Sequence, residues 1–142
     1  MNAHRRAWIV SLALLLVALL VVPIGDSIWF EWFLNNQIYS LAFGWLSETD
    51  LILWAYFAIA FAVIGSMQRI FGGAVDSHLL AFAIGTIYSV TLYLRSTYFF
   101  AEPARTLDYL WIAGAFFVPP LASYLGAALA ANVVGRAYAR SN

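Results

Sequence analysis

The sequence contains no cysteine and no lysine. Without cysteine there is no disulfide, thiolate metal site, cysteine nucleophile or iron–sulfur cluster. All seven basic residues are arginine, and seven acidic residues balance them to a formal net charge of zero. A neutral chain offers no broad basic field, so nucleic acid is not expected as a partner. Charged residues make up only 10% of the chain, where an ordinary soluble domain has about a quarter. So few charges cannot coat a globular surface in water. Histidine is scarce too. His4 and His78 are the only two, and both fall at the ends of apolar runs, whereas a haem-binding bundle needs histidines within them. There is no phosphate-binding loop, dinucleotide fingerprint, HExxH or GxSxG pattern. No cofactor and no metal site are expected.

What the chain has in abundance is apolar and aromatic surface: 64% hydrophobic residues, 18% aromatic, and a mean hydropathy of +0.84. Several runs reach the roughly 17–25 residues that cross a bilayer. The first covers about 7–24, behind the basic head MNAHRR. It ends in VVPIGDS, without the small-residue pattern of a cleavage site, and so reads as a span rather than a signal peptide. The second covers about 51–70 and holds no carboxylate, only Gln68 and Arg69 near its end. The third covers about 79–100, with Arg95 toward its far end, and the fourth about 109–134, interrupted by Pro119-Pro120. The pattern predicts an all-α membrane protein, a four-helix transmembrane bundle forming a single integral membrane domain over 1–142.

Arginine placement orients it. Arg5, Arg6, Arg69, Arg136 and Arg140 lie on the side of the termini, and Arg95 and Arg105 on the other. The excess of basic residues marks the inner side, which puts both termini in the cytoplasm of what is expected to be a bacterial inner (plasma) membrane. A fifth span over 28–46 would weaken this bias and carry Glu31, Asn35, Asn36 and Gln37 into lipid. A central carboxylate alone costs roughly 2.5–3.5 kcal/mol, so four spans is the better topology.

The interval 25–50, GDSIWFEWFLNNQIYSLAFGWLSETD, is neither a clean span nor a polar loop. Its polar positions change phase at Asn35-Asn36, and asparagine favours turns. Two short helical pieces are expected, about 28–34 and 37–46, hinged at the asparagine pair. Trp29, Trp32, Tyr39 and Trp45 suit the headgroup boundary. An amphipathic element lying on the outer face is expected, with a re-entrant loop as the alternative.

Four groups of residues are candidates for function. Asp26 and Glu31 are paired acids among aromatics on the outer side, suited to acid–base work, although solvated loop acids are the plainer explanation. Glu48 and Asp50 complement the dipole at the start of the second span. In the third span Thr86, Ser89 and Tyr93 share a helical face, with Arg95 on another. They either line a solute path or act as interhelical glue. Pro119 and Pro120 lack N–H groups, so the carbonyls of Ala115 and Phe116 lose their helical partners and a break or kink is expected there. Ala122, Gly126 and Ala130 form a small-residue face that lets helices approach closely, and Ala58, Ala62 and Ser66 form a shorter one. One such face is expected inside the bundle, the other against a partner.

These features favour a non-enzymatic subunit or scaffold of a membrane assembly, its partners being the lipid bilayer and either other membrane subunits or further copies of itself. The alternatives are an oligomeric small-solute transporter or channel using the kinked fourth span, and an enzyme acting on a lipid at the outer interface.

Overall fold

The computed structural model describes residues 2–35, 48–99 and 106–141; near the helix ends (30–31, 33–35, 48–52, 95–99, 106–112 and 138–141) it describes backbone only. Four helices follow in order: α1 Ala3–Asn35, α2 Glu48–Gly72, α3 Ser77–Phe99 and α4 Thr106–Ser141. Each contains a stretch long and apolar enough to cross a membrane. Only about a third of each such stretch is buried inside the bundle. The outward two-thirds is lined by residues such as Leu16, Ile59, Ile87 and Leu129, which suits acyl chains as the solvent.

α1 runs unbroken past the expected end of the first span. Neither Pro23 nor Gly25 stops it, and it continues to Asn35. The expected short piece over 28–34 is thus the last two turns of α1 rather than a separate element. The physical reason is that Ile28, Trp29 and Trp32 continue an apolar helix, which takes in the first residue of the asparagine pair. At 1.5 Å per residue α1 is about 50 Å long, against roughly 30 Å of hydrocarbon core. The second expected piece, over 37–46, lies outside the described residues.

The inner face of α1 consists of Ala7, Ser11, Leu14, Ala18 and Val22, spaced at three and four residues as one helical stripe requires. It packs on α2 and less extensively on α3, and among the described residues it makes no contact with α4. The densest packing joins α4 to α2 and to α3. α1 and α4 therefore lie on opposite sides of the α2–α3 pair, and α1 supplies Leu14, Ala18 and Val22 to the shared core.

α2 and α4 run parallel and in close register. Ser66 donates to the carbonyl of Gly126 over 3.1 Å, and twelve residues earlier in each helix Trp54 lies against Gly114. A Cβ on Gly65 would collide with the backbone of Ser123, and one on Gly126 with the backbone of Ala62. Both glycines are required for this approach. Lipid tails are as apolar as leucine, so helices in a membrane associate by such close packing rather than by burial from water. Both small-residue faces are thus spent on each other, α2 against α4. The expectation that one of them would face a partner is not met.

α4 also remains helical through Pro119-Pro120. Of the expected break or kink, the break is absent. Proline's fixed φ is compatible with a helix even where its ring removes a hydrogen bond, and α3 braces the site. A Cβ on Gly85 would stand 2.6 Å from backbone atoms of both Pro119 and Pro120.

Candidate functional site

At mid-bundle the core is aromatic. Phe57 meets Tyr88 at 5.7 Å between ring centroids, and Phe61 meets the same ring at 4.7 Å. All three are buried. Tyr56 extends the series to Trp29 on α1, 5.9 Å away, and donates its hydroxyl to the carbonyl of Val22 at 2.7 Å. This α1–α2 contact holds Gly25 against the Tyr56 ring.

Asp26 follows directly. It is half-buried, and its Oδ1 is enclosed without a hydrogen-bond partner among the described residues. Ser27, next in the chain, turns its hydroxyl back to the Pro23 carbonyl at 3.3 Å. Glu31 stands on α1 one helical turn beyond Ser27, but its side chain lies outside the described residues, as does that of Arg95 on α3. The expected convergence of the acid pair thus lies outside the described residues, and only Asp26 of the two is placed.

The third-span hydroxyls do not form one inward stripe. Thr86 is exposed and bonds back to the Phe82 carbonyl at 2.9 Å, as Thr91 does to Ile87 at 2.8 Å. Such bonds within a helix satisfy a hydroxyl facing lipid. Tyr93 stacks on Phe116 of α4 at 5.2 Å with its outer edge exposed. Ser89 alone of the three is buried, and its Oγ has no partner among the described residues. It does not cap the carbonyls released by the two prolines.

A second polar layer lies near the termini, and sequence reasoning undervalued it. Gln68 is completely buried, and Ser77 is 1% exposed. Eleven residues on from Phe57 stands Gln68, and eleven back from Tyr88 stands Ser77. Eleven residues is about three turns, so Gln68 and Ser77 repeat, one layer down, the facing of Phe57 and Tyr88. The Gln68 amide donates to the Ala7 carbonyl at 3.3 Å, which also accepts from Ser11 at 2.8 Å. Gln68 Oε1 and Ser77 Oγ are left without partners among the described residues. His78 rests its ring on Tyr124 at 5.4 Å, with Nδ1 enclosed and likewise unpartnered. The available signal was the stripe Phe57, Phe61, Ile64, Gln68, which puts the glutamine on the inner face of α2.

Beyond this layer, toward the termini, Arg6 donates from Nε to the Phe71 carbonyl at 2.6 Å, meeting one of the free carbonyls at the end of α2. Gly73 (φ 95°) and Asp76 (φ 49°) make the turn into α3. Among the described residues no group of three or more metal-binding side chains comes together.

No family model matches the chain, and no curated protein or solved structure is detectably similar to it.

Proposed function

We propose that this small four-helix membrane protein is a non-enzymatic, non-conducting subunit of a membrane assembly. The observation that carries the reading is the filled core. The aromatic layer of Phe57, Phe61 and Tyr88 occupies mid-depth of the bundle, and glycine contacts close the α2–α4 and α3–α4 seams. An oligomeric transporter would have to place its path between protomers. The arginine bias supports cytoplasmic termini, and with them a bacterial inner membrane.

The chain lacks cysteine, so a single Leu16→Cys on the exposed face of α1 gives a clean crosslinking handle in native membranes. The expected result is one crosslinked species of discrete mass, to a second copy or to another membrane protein. Uncrosslinked chain alone, with native mass spectrometry finding only isolated monomer, overturns the proposal.

A second reading, an enzyme acting on a lipid at the outer interface, is favoured by one observation: the enclosed, unpartnered Oδ1 of Asp26. A carboxylate so placed is suited to taking up a proton. Asp26→Asn that leaves the protein folded and fully functional in a genetic complementation assay removes this reading.

A further inference from the structure

At the end of the bundle that holds the termini, the first turns of α1 and α3 stand apart and leave an open groove of about 290 Å³. Its floor and lower walls are apolar: Ala7 and Trp8 on one side, Leu79, Leu80 and Ala83 on the other. Its rim is polar, with His4 on the α1 wall and Asp76 on the α3 wall. The depth is that of a headgroup region. Arg5 and Arg6 follow His4 in the chain, Arg6 being held on the Phe71 carbonyl, and Arg69 lies in the last turn of α2.

Asp76 is the one acidic residue on a side that carries five arginines. It is exposed and makes no ion pair among the described residues. A bilayer lipid entering this groove meets apolar walls first, then the Asp76 carboxylate on one side and His4, with Arg5 next to it in the chain, on the other. An anionic lipid satisfies only the basic side and sets its headgroup against Asp76. A headgroup with adjacent phosphate and ammonium satisfies both.

We infer that the His4–Asp76 groove binds one phospholipid whose headgroup carries both a phosphate and a primary ammonium. An acyl chain lies along Trp8, Leu79 and Ala83. The ammonium faces Asp76, and the phosphate faces His4 and Arg5. This site is independent of the subunit reading, because it requires only that the bundle sit in a bilayer.

The test is native mass spectrometry of the full chain, delipidated in mild detergent and titrated with dioleoyl phosphatidylethanolamine or dioleoyl phosphatidylglycerol. The first phosphatidylethanolamine is expected to bind about threefold to fivefold more tightly, the scale of one exposed charge pair. Asp76→Asn keeps a residue type that tolerates positive φ and is expected to bring that ratio to about one. Ala83→Phe fills the groove and is expected to weaken the first binding event for both lipids. Equal binding of the two lipids by the unaltered protein overturns the inference, and so does a preference that survives Asp76→Asn. A folded Ala83→Phe variant with undiminished binding of the first lipid places that lipid elsewhere and overturns it as well.

Discussion

Ser66 on α2 gives its hydroxyl to the carbonyl of Gly126 on α4, and the space a Cβ would need on that glycine is already taken by Ala62. One position thus supplies an interhelical hydrogen bond and sets the spacing of the two parallel helices. Everything on α4 that faces inward depends on that spacing.

Replacing Gly126 with valine, or Gly65 with valine, is expected to force α2 and α4 apart. Overpacking a filled site costs about 1–3 kcal/mol, more where only backbone can yield. Thermal unfolding in detergent, followed by circular dichroism, reads the loss. Gly135→Ala is the control, since nothing lies within 4 Å of its would-be Cβ, and it is expected to leave stability unchanged or slightly raised.

Gly85 and the proline pair make a second crossing that can be separated into its parts. Pro119→Ala with Pro120→Ala restores two N–H donors to a helix that is already continuous. Helical content is expected to stay the same. Gly85→Val is expected to destabilise the α3–α4 contact on the same scale as the Gly65 variant, because at both positions the atoms a Cβ meets are backbone. A double-proline variant that loses its helical signal would show that the prolines shape α4 rather than being accommodated by it.

Gln68 is expected to be worth more for its volume than for its hydrogen bond. Interhelical side-chain bonds in membranes average about 0.6 kcal/mol, and here one amide oxygen has no partner among the described residues. Gln68→Leu should therefore be tolerated within about 1 kcal/mol, while Gln68→Ala opens a cavity in the layer and should cost about 2 kcal/mol or more. Unfolding midpoints that rank the two variants the other way round would give the hydrogen bond the larger part.

Tyr56→Phe removes the bond to the Val22 carbonyl while keeping the ring beside Trp29 and Phe57. A loss of about 0.6 kcal/mol is expected. Because α1 touches only α2 and α3 among the described residues, the loss should be local. Hydrogen exchange should rise along α1 and leave the α2–α4 seam unchanged.

Much of the fold was legible in order along the chain. The first, second and fourth expected spans lie inside α1, α2 and α4, and the third follows α3 to Phe99, beyond which the chain is outside the described residues. The asparagine signal for a turn points at residues beyond Asn35, outside the described residues. The candidate site was harder to read. Thr86, Ser89 and Tyr93 share a face only on a helical wheel; in the bundle Ser89 turns in and Thr86 turns out. Gln68 was visible as the one side-chain amide of its span, yet its meaning depends on Ser77 and Ala7, which come from other helices.

The sequence by itself determined how many helices are long and apolar enough to cross a membrane. Hydropathy and charge are properties of each segment alone, and a 20-residue apolar run needs a bilayer whatever it packs against. Only the tertiary structure decided which faces meet. Ala58–Ser66 and Ala122–Ala130 could each have faced a partner, and the prolines could have broken α4. The outcome turned on the rotation and register of helices distant in the chain, where close approach at Gly65, Gly85 and Gly126 supplies the packing energy that no single segment contains.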